Sequence, residues 1–177
     1  MALQFRLATQ DDFEGIWSVL LDGKAVLGRL GIDQWQGSYP SRDIVLADIA
    51  ADHSYVIEED GKILATTVIS FSGEQVYDRI DGAWLTDSTS DNPRYAVLHR
   101  VASLSTQSGR GLGRMLLESG LQVARERGSE SVRIETHPDN EPMLRLIERC
   151  GFTRCGIIQI DHAEGGNPNR VAFEAVL

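Results

Sequence analysis

The run from Leu98 to Arg114, LHRVASLSTQSGRGLGR, constrains this chain more than any other stretch. An apolar segment ends in small and hydroxylated residues, three glycines alternate at Gly109, Gly111 and Gly113, and the amphipathic pattern of a helix follows. Strand, glycine turn and helix start together make an anion site. Glycine lets the backbone approach a ligand without a Cβ, and the free amides and positive dipole end of the helix favour a phosphate. The turn is not a Walker A loop, because no Gly-Lys-Ser/Thr follows, and its alternating glycines do not fit the G-x-G-x-x-G dinucleotide fingerprint.

A second pattern lies downstream, VRIETHPDNEPMLRLIERCGF from Val132 to Phe152. Asp139 or Asn140 can cap a helix whose first turn suits Pro142, and Gly151 can end it. Met143, Leu146, Ile147 and Cys150 fall at i, i+3, i+4 and i+7, which gives one apolar face. Together the two segments resemble motifs A and B of the GNAT N-acetyltransferase superfamily. Ser108-Gly109-Arg110-Gly111-Leu112-Gly113 fits the Gln/Arg-x-x-Gly-x-Gly/Ala pattern at both glycines, with Ser108 where a Gln or Arg is usual. The resemblance extends over essentially the whole chain.

It implies an α/β (α+β) fold: a mixed, mostly antiparallel central sheet with helices on both faces. Its fourth strand (Tyr95–Ser103) and fifth (Ser131–His137) run parallel and splay apart. It implies acetyl-CoA as co-substrate, wedged into that gap. Backbone groups of Val101, Ala102 and Ser103 would meet the pantetheine arm. Ser108, Gly109, Arg110, Gly111, Leu112, Gly113 and Arg114 would hold the pyrophosphate, and Asn140 would bond the cofactor or order a water, in competition with helix capping. One departure stands out: Ile147 occupies the position where many members carry a Tyr as general acid toward the CoA sulfur. His137 and Tyr95 are possible substitutes.

The expected function is direct transfer of an acetyl group to an amine, either a small molecule or an amino terminus. Alternatives are a non-catalytic CoA-binding or sensor domain, for which Ile147 and Ser108 speak, and a nucleotide-phosphate binding module. His99 is the candidate base. Alternation along the fourth strand puts Tyr95, Val97, His99, Val101 and Ser103 on one apolar face, which favours a neutral imidazole. The competing role is a histidine hydrogen-bonded inside the sheet. Arg100 would point to the other face and pair with an acid such as Glu135. Trp35, Gln36 and Tyr39 sit in the loop before the second helix, and Trp35 and Tyr39 are the candidate acceptor contacts.

The remaining elements read from periodicity and turn signals. They are a strand from Gln4 to Ala8, a helix after Asp11 or Asp12, a loop from Gly28 to Tyr39 and a helix capped by Ser41. Strands Ser54–Glu58 and Lys62–Phe71 join at Glu59-Asp60-Gly61, an irregular acidic stretch spans Gly73–Pro93, and two last strands run over Thr153–Asp161 and Arg170–Leu177. Residues 1–177 are expected to form one domain. A formal net charge of −9 argues against a nucleic-acid partner. No apolar run is long enough for a bilayer, and the first residues lack the layout of a signal peptide, so a cytoplasmic protein, possibly a homodimer, is expected. Cys150 and Cys155 read as unpaired, and His53, His99, His162 and His137 lack metal-ligand spacing.

Overall fold

The computed structural model describes residues 2–177; Met1, the first residue of the expected domain, lies outside them. The elements are β1 (Gln4–Leu7), α1 (Phe13–Arg29), α2 (Arg42–Ala50), β2 (Ser54–Glu59), β3 (Lys62–Ser70), β4 (Asp81–Gly82), β5 (Tyr95–Ser103), α3 (Leu112–Glu126), β6 (Ser131–Thr136), α4 (Glu141–Arg149), β7 (Thr153–Gln159) and β8 (Asn169–Val176). They build an eight-stranded sheet in the order β1-β2-β3-β5-β6-β8-β7-β4. Its neighbours pair antiparallel except β5 and β6, which run parallel. The expected splayed strands are therefore β5 and β6, the short strand β4 having moved the count by one.

Apolar periodicity decides where the helices lie. Ile16, Val19 and Leu20 of α1 and Val45 and Ile49 of α2 pack with Val56, Ile63 and Ala102 on one face of the sheet. Leu117 and Ala124 of α3 and Ile147 of α4 pack with Leu98, Ile134 and Phe173 on the other. Ser41 caps α2 by accepting from the Ile44 amide, and Asn140 rather than Asp139 caps α4 by accepting from the Met143 amide.

Two sequence expectations change. The helix expected to stop before Gly28 runs on to Arg29, because Leu27 continues its buried stripe and that burial outweighs glycine's cost of about 1 kcal/mol in a helix. The strict alternation along β5 also fails. Thr66 pairs with Ala102 and Val68 with His99, so Arg100 and Val101 together oppose the single residue Thr67. This β-bulge holds Arg100 at φ +49° and shifts the phase of the strand. Val101 consequently packs on the α3 side with Leu98, away from the face of Val97, while Ala102 joins the α1 side.

Candidate active site

The parallel pairing of β5 and β6 covers only four positions, from Tyr95–Ser131 to Leu98–Ile134. Beyond it the strands part: His99–Ser103 stay with β3, and Glu135–Thr136 stay with β8. The gap opens into a cavity of about 450 Å³. One wall is Val101, Ala102 and Ser103, and the other is Glu135, Thr136 and Asn140. The first residues of α4, Pro142 and Met143 with Leu146, form an apolar floor. Ser108 and Gly113 border the mouth.

At that mouth Gly109 and Gly111 take φ +82° and +76°, a conformation that costs a non-glycine residue about 1–2 kcal/mol. No side chain caps α3, so its first amides stay uncapped at the end of the cleft. Gly113 has a different reason to be glycine: a Cβ there would stand 2.8 Å from Leu146 Cδ2, so the steric demand comes from α4. The side chain of Arg110 is held by Glu59 at 2.9 and 3.0 Å, and that of Arg114 by Glu118 at 2.7 Å. Gly109, Arg110 and Gly111 thus form the turn itself, Leu112 and Arg114 lie in the first turn of α3, and none of the five lines the cavity.

A loop closes the cavity from above. Trp35 and Tyr39 both line it, as their loop position predicts. Gln34 Oε1 accepts from Asn140 Nδ2 at 3.0 Å, which commits both ends of the Asn140 amide to protein partners. The loop is clasped to the segment between β7 and β8. The Ser38 amide donates to Glu164 at 2.6 Å, the Asn167 amide donates to Asp33 at 3.0 Å, and the Tyr39 ring stacks on His162 with centroids 4.0 Å apart.

A second cavity of about 320 Å³ lies behind this stack. Tyr39, His99, Arg100, Glu135 and His162 line both cavities and form their junction. The bulge explains how neighbours in sequence both reach it. Arg100 turns to donate to the Tyr39 hydroxyl and to Asp48, instead of crossing the sheet toward the expected partner Glu135. His99 Nε2 contacts Glu74, and the His99 carbonyl accepts from Thr67 Oγ1 at 3.2 Å, so His99 has both a hydrogen-bonded place in the sheet and a cavity face.

The electrostatics follow from burial. Burial pushes the Tyr39 phenol and the Asp48 carboxyl above their ordinary values, against the pull of Arg100. Burial, the largest single influence, raises Glu74, but its hydrogen bond with His99 and the charges of His99, Arg100 and His162 together outweigh it and leave Glu74 low. Burial, joined by the Arg170 charge, lowers His162 and favours its neutral ring. Glu135 is pushed up by burial; Arg170 stands 3.7 Å from its Oε2, which makes no hydrogen bond.

The two substitutes for a general acid do not reach the site. Tyr95 is buried under the second cavity, where its hydroxyl accepts from the Glu74 amide. His137 is buried at the end of β6 with Nδ1 accepting from the Asp139 amide, and neither residue lines either cavity. Ile147 is fully buried in the core, and α4 offers the cavity only Pro142, Met143 and Leu146 besides its cap. Sequence reasoning missed Glu74, Asp48 and Tyr77, which come from segments without a local pattern.

A sheet that splits between two parallel strands, with a glycine turn and an uncapped helix at the mouth of the split, is the architecture of an acetyltransferase. Residues 29–152 match the acetyltransferase (GNAT) family, and the chain belongs to it. A GNAT-family acetyltransferase from Streptococcus agalactiae superposes with a TM-score of 0.86 at 29% identity, covering 99% of this chain and 95% of that one. The ribosomal-protein-S18-alanine N-acetyltransferase of Escherichia coli superposes at 0.67 with 15% identity, covering 99% and 94%, a likeness of fold alone. In sequence, 70 residues are 36% identical to a mycothiol acetyltransferase of Corynebacterium aurimucosum, covering 40% of this chain and 23% of that protein. The chain thus spans less than a quarter of the length of that relative. A streptothricin acetyltransferase of Streptomyces lavendulae is 29% identical over 98 residues, 55% of this chain and 42% of that protein.

Proposed function

We propose that this chain transfers an acetyl group from acetyl-CoA to the nitrogen of an amine by direct attack. The observation that carries the reading is the junction at which the split-sheet cavity meets a second cavity across His99, Arg100 and Glu135. The residues fit the co-substrate. The arm of β5 that has left β6 offers backbone groups at Val101–Ser103, and the Ser108–Gly113 turn offers amides and a helix dipole to a pyrophosphate. When bound, acetyl-CoA supplies a thioester whose C–S bond breaks as the new C–N bond forms.

The chain's own residues manage the proton. An amine with a Lys-like pKa of about 10.4 costs roughly 4–5 kcal/mol to deprotonate at pH 7, so a base at the junction matters. Glu74 accepts from His99 Nε2–H, which leaves Nδ1 with the lone pair that takes the amine's proton. Tyr39 carries the one hydroxyl among the junction residues and would be the proton donor to the thiol leaving group. Trp35 and the apolar floor of α4 exclude water from the reacting groups. The proteins this chain resembles are named for mycothiol, streptothricin and the alanine of ribosomal protein S18, which supports a nitrogen acceptor without choosing one.

The test is His99→Ala. Loss of a general base lowers turnover about 10²–10⁴-fold. Acetyl-CoA binding should survive, and the acidic limb of the pH–rate profile should disappear. An acidic limb unchanged in the folded variant would move the base role to Glu135, whose Oε2 makes no hydrogen bond among the described residues and which lines the same junction. Acetyl-CoA binding without turnover on any amine would favour the sensor reading, for which the buried Ile147 speaks.

A further inference from the structure

The second cavity carries a charge pattern that the transfer reaction alone does not require. Its lining holds four carboxylates, Asp48, Glu74, Glu135 and Asp161, against one guanidinium, Arg100. Arg100 is engaged by Asp48, and Arg170, outside the lining, stands 3.7 Å from Glu135, so the four carboxylates still outnumber the guanidiniums beside them by two. Tyr77 lines this cavity and not the first, and so stands apart from the junction residues. This residue is 1% exposed, yet its hydroxyl has no hydrogen-bond partner. The ring is fixed by Trp84, 5.3 Å away between centroids, and by Tyr95 at 6.2 Å. Burial, with the charges of Glu135 and Glu74 added, raises its phenol well above the ordinary value. A buried hydroxyl without a partner is destabilising unless something in the cavity supplies one. Ile44, Val68, Val76 and Ile160 give the same cavity apolar walls.

We propose that the acceptor is a short dicationic amine: one amino group reacts at the junction, and a second ammonium is held inside the second cavity by the Tyr77 hydroxyl and the carboxylates of its wall. The inference rests on the acetyl-transfer reading and deepens it. The apolar walls fit the methylene chain between two charged ends, and the excess carboxylates repel an acceptor whose distal group is itself a carboxylate. An ammonium donates three hydrogen bonds and can satisfy the Tyr77 oxygen and a neighbouring carboxylate at once.

The experiment compares 1,5-diaminopentane, pentylamine and 5-aminopentanoate, three acceptors of nearly equal length, by thiol release at saturating acetyl-CoA. The expected order in kcat/KM is diamine, then monoamine, then amino acid, with at least about a tenfold step between the first two, as for a charge-assisted hydrogen bond. Tyr77→Phe, which removes only the unpartnered oxygen, should cut the diamine-to-monoamine ratio several-fold without lowering the melting temperature. Asp161→Asn, an exposed change, should cut it in the same direction. Equal rates for diamine and monoamine, or a preference for the amino acid, would overturn the inference while leaving acetyl transfer standing. If no amine turns over, the transfer reading fails by itself. Calorimetric binding of 1,5-diaminopentane against pentylamine, with CoA present, then still decides the cavity's preference, and equal affinities would overturn it.

Discussion

Asp12 shows how much a single carboxylate can organise. It sits where β1 gives way to α1, accepts from the Thr9 amide at 2.7 Å, and takes both terminal nitrogens of Arg6 at 2.7 and 2.8 Å. Arg6 in turn reaches Glu58 of β2, so one side chain ties the edge strand, the helix start and the sheet together. The hydrogen bond with Arg6 outweighs burial and lowers Asp12 from 3.8 to about 2. A carboxyl depressed in the folded state stabilises the fold fully above its unfolded value and loses that contribution as pH falls through the folded one. Asp12→Asn should therefore cost about 1–3 kcal/mol at pH 7, the value of hydrogen bonds to a charged group. The gap between variant and parent should close between pH 3.8 and about 2. Denaturant melts across pH 2–5 measure this, and a gap independent of pH would mean that the charge contributes nothing.

At the scale of elements, the seat of α3 on β5 sets the width of the split. A Cβ on Gly120 would stand 2.7 Å from Leu98 Cδ2, so the helix lies close on the strand at the last paired position before the strands part. Leu98 is 2% exposed and packed among Leu117, Ile134 and Ile147, so it has little room to swing. Alanine gains about 1 kcal/mol of helix propensity over glycine, while overpacking a dense core costs about 1–3 kcal/mol. Gly120→Ala should thus be destabilising by about 1 kcal/mol in equilibrium unfolding and should weaken acetyl-CoA binding, because Leu98 also lines the first cavity. A stabilised variant would show that Leu98 yields freely. The same strand marks the limit of what its sequence discloses. Caps, glycine stops and apolar periods made the helices and the hairpin legible, because those signals are local, whereas the parallel pair was expected only from the resemblance of the two motifs to a known family. The bulge at Arg100 was not legible, since it depends on how β3 pairs opposite, and with it the partner of Arg100 was misassigned. His99, Tyr39 and the β5 wall could be read from motif position. Glu74 and Asp48 could not: they lie 25 and 52 residues from the side chains they meet, and only tertiary folding brings them there.

Seen as a whole, the molecule is two half-sheets, β1-β2-β3-β5 and β6-β8-β7-β4, joined by the short β5–β6 pairing and by the helices packed across it. The cavity begins where that pairing ends, so whatever fills it touches both halves. Side-chain clasps at Ser38–Glu164 and Asp33–Asn167 repeat the bridge on the far side, linking the segment after α1 to the segment before β8. A ligand bound only by the native state stabilises it by RT ln(1 + [L]/Kd), about 2.7 kcal/mol at a hundredfold excess over Kd. For a chain of this size each kcal/mol moves the melting temperature by about 2–4 °C, so acetyl-CoA should raise it by roughly 5–10 °C. The location of the effect separates a wedge from ordinary surface binding. In hydrogen exchange, new protection should appear on both arms of the split, at Val101–Ser103 on β5 and at Glu135–Thr136 on β6, and in the loop that carries Trp35 and Tyr39. A ligand held only by the glycine turn would protect the start of α3 and leave β6 unchanged. That pattern would keep a phosphate site on this fold and remove the wedge. Protection on both arms would mean that the co-substrate completes, across the split, the contact that β5 and β6 give up after Leu98 and Ile134.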